Sequence, residues 1–332
     1  MKRSLRILFF IIGAGCLVFM GKKADVTASE WKSILTGAGF LTLLLQLTVW
    51  TAIYALHTTV HRRILKAAPG RPGFLKMYGL TVSALAFNGA TPAGMLGGES
   101  YRMLELENSC GREKAFSSVV TMALFYVAGH FLLFLTGCMI FFLSGIRTGI
   151  PETVLMAALG LVSAAVVFLF VKKHDSGLLL PICSFLRKIP LLRKLLDRAS
   201  IRTLLAAADE GFIAISKNRK QFFMLYLTEY AARLLQSLEY YIVFRFLKTG
   251  ITFPGAILVM TLSSFTANLL PVPMQVGTQE SGMFLALSWL SISASAGLRA
   301  DVMIRMTEII CTAVGMLLVL FRNKKDVIEI TH

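Results

Sequence analysis

The chain has 332 residues, 56% of them hydrophobic, with a mean hydropathy of +0.70. That composition excludes an ordinary soluble domain and puts the function in or beside a lipid bilayer. The net charge of +16, from 34 basic and 18 acidic residues, lies almost entirely between apolar runs, where it reads as topology-setting charge and no nucleic-acid partner is expected.

Lys2, Arg3 and Arg6 precede an apolar run at 5–20, and Gly21-Lys22-Lys23 makes a poor small-residue cleavage site. The run is expected to stay as a membrane anchor. A span follows at 34–56, then a basic loop at 57–76 with Arg62, Arg63, Lys66, Arg71 and Lys76. Further spans are predicted at 115–143 and 151–171. After them, 172–220 holds eleven Lys or Arg against four Asp or Glu, which places it and the 57–76 loop on the cytoplasmic side. The pair 115–143 and 151–171 therefore starts and ends in the cytoplasm, and 77–97 must enter the membrane and return.

Inside 172–220, the stretch 178–198 mixes Leu, Ile, Phe and Pro with Arg187, Lys188, Arg193, Lys194 and Arg198. It reads as an amphipathic segment lying on an anionic leaflet. Leu204, Leu205, Ala208, Phe212 and Ile215 recur at helical spacing, so 201–216 is expected to dock on the bundle or the membrane. A span at 221–247 then leaves the cytoplasm, one at 301–321 returns to Arg322, Lys324 and Lys325, and 254–298 dips in from outside. The resulting fold class is an all-α polytopic membrane protein with about six full transmembrane helices and two oppositely oriented re-entrant helical hairpins. It forms one domain over 1–332, with a first inverted repeat at 34–171, a basic cytoplasmic segment at 172–220 and a second repeat at 221–321. Both termini are placed in the cytoplasm and the membrane is taken as the cell (inner) membrane.

The two broken segments share a motif. Asn88-Gly-Ala-Thr-Pro92 runs on to Glu99-Ser100, and Asn268-Leu-Leu-Pro271-Val-Pro273 runs on to Glu280-Ser281; in each copy six residues separate Pro from Glu-Ser. Irregular backbone at membrane depth is tolerated only where protein or a water-filled cavity satisfies it, so two such breaks imply a shared cavity. On 221–247, Glu229, Arg233, Gln236 and Tyr240 fall on one helical face, with Arg233 near the middle. That stripe either lines a functional site or neutralises itself as a Glu229–Arg233 pair that holds helices together. Glu239 and Arg245 read as interfacial. Glu99 and Arg102, and Arg305 and Glu308, sit three apart. The planar Arg fork suits a phosphate or carboxylate, which makes Arg102, Arg233 and Arg305 candidates for an anionic headgroup. Glu99 and Glu280 are candidates for a cationic group, an Arg or a coupling proton. For Arg305 the alternative is snorkelling to the interface. His130, which shares a face with Tyr126, reads as a packing residue. Cys16, Cys110, Cys138, Cys183 and Cys311 show no CxxC spacing and read as packing residues; no metal site and no cofactor are expected.

The run from Asn88 through Pro92, Gly98 and Glu99 to Arg102, together with Pro273, Gly277 and Glu280, resembles the two signature segments of the lysylphosphatidylglycerol synthase transmembrane family of flippase-like membrane proteins. Met274-Gln275 departs from that pattern, where small residues are usual. The resemblance covers about 5–321. It implies a membrane domain that moves lipids such as aminoacylated phosphatidylglycerol or polyprenyl-linked glycolipids between leaflets. In bifunctional relatives aminoacyl transfer belongs to a separate soluble C-terminal domain, which is not expected in this chain. With Asn88, Pro92, Glu99, Arg102, Glu229, Arg233, Asn268, Pro273, Glu280, Arg305 and Glu308 as site candidates, the expected function is a flippase-like lipid transporter whose partners are membrane lipids. Two alternatives stand beside it: an intramembrane lipid-modifying enzyme using Glu99 or Glu280 as general base, and a membrane subunit that recruits a separate lipid synthase. An oligomer is compatible with each.

Overall fold

The computed structural model describes residues 36–66, 68, 70–90, 95–188, 199–269, 275 and 277–321. Their elements are α-helices: α1 (Gly37–Ile64), α2 (Phe74–Ala90), α3 (Met95–Cys110), α4 (Arg112–Leu143), α5 (Ile150–Lys172), α6 (Leu179–Leu186), α7 (Ala199–Ser216), α8 (Arg219–Phe246), α9 (Phe253–Leu269), α10 (Thr278–Trp289) and α11 (Ala294–Phe321). The anchor expected at 5–20, the prolines Pro92 and Pro273, most of the basic stretch in 178–198 and the basic residues after 321 lie outside the described residues.

Local chemistry sets the boundaries. His61, Arg62 and Arg63 occupy the last turn of α1, where cations complement the negative end of the helix dipole. Pro151 sits in the first turn of α5 beside Glu152, where its missing N–H costs no hydrogen bond. Asn218 caps α8 by accepting the Gln221 N–H at 3.1 Å. Gly277, at φ +86, opens α10 and its N–H is taken by the Glu280 carboxylate at 2.7 Å.

Among the described residues, α1, α4, α5 and Ala294–Leu320 of α11 are long and apolar enough to cross a membrane. α8 matches α1 in length, 28 residues, or about 42 Å at 1.5 Å per residue, but Glu229, Arg233, Glu239 and Arg245 lower its hydropathy. Its charges turn inward: Glu229, Arg233 and Glu239 are buried, whereas Leu227 faces out. Phe168, Leu161 and Leu169 on α5 and Leu143 on α4 are likewise exposed, an outward apolar face suited to lipid. The architecture is that of a polytopic helical membrane protein.

Two helix pairs fold back tightly, α2 with α3 and α9 with α10. In each, a glycine on the second arm lies against a carbonyl of the first. A Cβ on Gly98 would overlap Ala84 O and Asn88 Oδ1, and one on Gly282 would overlap Leu262 O and Thr266 Oγ1. α1 runs antiparallel to α8. Going up α1, Trp50 meets Glu239, His57 meets Glu229 and Arg63 meets Met224, so partner numbers fall as its own rise. α2 packs on α11, and α9 packs on α4. Both crossings use a glycine: Gly315 of α11 faces Val82 and Ala86, and Gly137 of α4 faces Thr261. α7 lies against α4 with Ala208 and Phe212 buried, and Asp209 accepts the N–H groups of Leu178 and Leu179, each at 2.9 Å, tying α6 to α7.

Several boundaries move. The segment 77–97 is one arm and the start of the next, and the second arm continues to Cys110. Although Glu99, Glu105 and Glu107 make this stretch polar, Arg102, Leu106 and Cys110, spaced four apart, are buried on one face of α3 against α2 and α4. The last helix starts at Ala294 and not at 301, with Ala294, Ala296, Leu298, Arg299 and Ala300 as good helix formers in its first turns.

Candidate functional site

A cavity of about 250 Å³ opens between α1, α2, α4, α8, α9, α10 and α11. Its floor is organised by Arg233 of α8, which is 1% exposed. The guanidinium carbon stands 4.1 Å over the Tyr126 ring, a cation–π contact strengthened by desolvation. Nη1 reaches the Gln236 side-chain carbonyl and lies 3.4 Å from His130 Nε2. Nη2 is 3.0 Å from His57 Nε2. The other His57 nitrogen, Nδ1, is 3.0 Å from Glu229, whose carboxylate is fully buried and 4.0 Å from Arg233. In this network His57 donates from Nδ1 to the carboxylate and accepts from Arg233 at Nε2. Arg233 Nε is buried with no hydrogen-bond partner among the described residues.

A second charged group lies on α11. Arg305, 6% exposed, meets Glu280 of α10 at 2.6 Å, Glu308 at 2.9 Å and Asp301 at 3.7 Å. Three carboxylates around one guanidinium leave this pole acidic. Arg305 and Glu308 line the cavity, while Glu280 joins them from the start of α10. Snorkelling is overturned for Arg305, since the α10 carboxylate holds it inside the bundle. Between the poles stands Glu239, 2% exposed, accepting the Trp50 indole N–H at 2.9 Å. The expectation that Glu239 is interfacial is overturned as well. It follows Gln236 by three residues and so belongs to the same inward face.

Of the other candidates, Asn88 and Asn268 line the cavity near the ends of α2 and α9. Asn88 accepts the Gly98 N–H at 2.8 Å, and Asn268 donates to Ser264 O at 2.7 Å. Glu99 and Arg102 pair with one another at 3.1 Å and are not cavity-lining. Pro92 and Pro273 lie outside the described residues. The residues that sequence reasoning left out are Trp50, Tyr54 and His57 of α1, Glu239, Gln279 and Asp301. His130, read as packing, lines the cavity beside Arg233. The α1 residues carried no motif; only their one-turn spacing, Trp50, Tyr54 and His57, pointed to a common face.

Among the described residues no group of three or more His, Cys, Asp or Glu is placed to hold a metal ion, and Cys110, Cys138, Cys183 and Cys311 are free thiols. What the arrangement offers is ionic recognition inside the helix bundle, with a basic pole at Arg233 and an acidic pole at Arg305. A model of the family described as Lysylphosphatidylglycerol synthase TM region matches residues 5–315. No curated protein and no solved structure matches the chain.

Proposed function

Because this chain belongs to the lysylphosphatidylglycerol synthase transmembrane region family, a family of membrane proteins linked to lipid modification or translocation, we propose that it is a lipid transporter. It carries an anionic, aminoacylated or polyprenyl-linked headgroup between leaflets of the cell membrane. The headgroup enters the cavity while its acyl chains stay in the bilayer. The observation that carries this reading is a buried, incompletely bonded guanidinium, Arg233, in the wall of a polar cavity inside a bundle whose outside is apolar. A phosphate oxygen accepting from Arg233 Nε would satisfy a guanidinium donor that has no partner among the described residues.

The halves are read as an inverted repeat, α1–α4 against α8–α11. Support comes from the pairing: α1 lies antiparallel on α8, and the α2–α11 contact has its counterpart in α9–α4, each with a glycine at the crossing. The hairpins are read as re-entrant. Their arms have 17, 16, 17 and 12 residues, all below the roughly 20 that a full crossing needs. Two broken segments from opposite faces, meeting at one site, is the arrangement of transporters that expose a central site alternately to either side. Both termini are read as cytoplasmic, and the basic loops support that side.

The test is leaflet distribution in sealed vesicles of purified protein. Wild type is expected to speed equilibration of labelled phosphatidylglycerol, a labelled aminoacyl phosphatidylglycerol or a polyprenyl-phosphate glycolipid, and Arg233→Ala to reduce that rate at least tenfold. Unchanged rates for all three lipids with wild type present would sink the reading.

A further inference from the structure

Five carboxylates lie in or around the cavity, and four of them are tied to an arginine. Glu229 is held by Arg233, and Glu280, Asp301 and Glu308 are held by Arg305. Neutralising Glu229 strands the buried Arg233, and neutralising Glu280, Asp301 or Glu308 removes one of the ion pairs that hold Arg305. Glu239 is different. It lines the cavity, and its partner is the Trp50 indole, a neutral group that can only donate. No Lys, Arg or His among the described residues stands within ion-pair distance of it. Its charge can therefore change without dismantling the bundle.

We propose that Glu239 is a proton-exchange site that makes headgroup passage a proton symport; the inference rests on the transport reading above. Its surroundings set the logic. From α1, Tyr54 and His57 face the cavity, and from α4, Tyr126 and His130. On α8 itself Arg233 and Tyr240 do so. From α11 come Arg305, Glu308 and Cys311, of which Glu308 bears the same sign as an ionised Glu239. α9 and α10 present hydroxyl and amide groups, such as Ser264 and Gln279, and α7, also packed on α8, lines none of it.

With Glu239 as the acid, Arg233 acts on the cavity without an opposing free carboxylate, and a phosphate enters. On the far side the Glu239 O–H bond breaks. The proton passes to water, the electron pair stays on the carboxylate, and the new negative charge repels the phosphate and ejects it. Protonation from water on the first side restores the acid. One proton and one singly charged anionic headgroup move together, so the cycle is electrically neutral and drives headgroups from the acidic to the alkaline side.

The experiment uses full-length protein in phosphatidylcholine vesicles containing a fluorescent phosphatidylglycerol, with and without an imposed pH difference. Wild type is expected to enrich the probe in the leaflet facing the alkaline side, approaching tenfold per pH unit, which is about 1.4 kcal/mol. Glu239→Gln, whose amide still accepts from Trp50, is expected to lose that enrichment. In parallel, infrared difference spectra should contain a deuterium-sensitive carboxylic-acid band that rises and falls as pH is stepped and is missing from Glu239→Gln. This readout needs no transport and also reports on a folded variant. Probe movement that ignores the gradient, or a titrating band that survives Glu239→Gln, overturns the coupling alone. No movement by wild type of this probe, nor of labelled aminoacyl phosphatidylglycerol or polyprenyl-phosphate glycolipid in its place, with the Glu239 band present, overturns the transport reading and removes the coupling with it.

Discussion

At the scale of the residue, the decisive groups are those whose partners lie far away in the chain. Arg233 holds two imidazoles, an amide and an aromatic face at once. Lysine has neither the fork nor the planar surface to reproduce that. Arg233→Lys is therefore expected to fold but to move lipid at a tenth of the wild-type rate or less, measured as leaflet equilibration in vesicles. Removing the Glu229 carboxylate leaves Arg233 and His57 without their buried counter-charge. Glu229→Ala should cost roughly 3–5 kcal/mol, the usual penalty for breaking a buried pair, seen as a lowered midpoint of thermal unfolding in detergent. The stripe Glu229, Arg233, Gln236 and Tyr240 was legible because four-, three- and four-residue steps make one helical face. Glu239 was misjudged as interfacial because its partner, Trp50, is 189 residues away, and no local pattern announces a contact at that distance. His57 was hidden for another reason: it fell in a stretch taken as a basic loop, whereas α1 runs on to Ile64.

At the scale of the element, the hairpins depend on bare backbone approach. Gly98 and Gly282 each put the Cα of one arm where any side chain would strike a carbonyl of the other. Gly98→Ala and Gly282→Ala are expected to cost about 1–3 kcal/mol each by overpacking. Gly73→Ala, with nothing within 4 Å of an added Cβ, should change little. Thermal unfolding of the three variants side by side checks this, and equal effects would mean that the arms separate freely. The apolar helices α4 and α5 were readable within a few residues because continuous Leu, Phe, Val and Ile runs leave few alternatives in a bilayer. α3 was harder. Glu99, Glu105 and Glu107 make its sequence look aqueous, and only packing against α2 and α4 reveals that Tyr101, Arg102, Leu106 and Cys110 form a buried side.

At the scale of the whole molecule, the topology follows from adding the crossings. If α1 ends in the cytoplasm at Arg62 and Arg63, and the α2–α3 hairpin returns to that side, then α4 emerges outside near Arg147 and α5 brings the chain back to Lys172. On the same proposal α8 would leave the cytoplasm from Lys217 and reach the outside at Thr249, where the α9–α10 hairpin would begin and end. Single cysteines at Lys66 and Lys217, in a background with all native cysteines replaced, are therefore expected to react with a membrane-impermeant maleimide only after the cells are permeabilised. Cysteines at Arg147 and Thr249 should react in intact cells. The comparison is demanding because Lys66 and Arg147 are separated by the first hairpin plus α4. If that hairpin made an odd number of crossings, Arg147 would share a side with Lys66, and the opposed orientation of the two halves would fail. Labelling of Arg147 and Thr249 from one face and Lys66 and Lys217 from the other is what two inverted units with a common cavity require. The antiparallel packing of α1 on α8 is the contact that this arithmetic must reproduce, since two helices that run opposite ways through the same bilayer start from opposite faces.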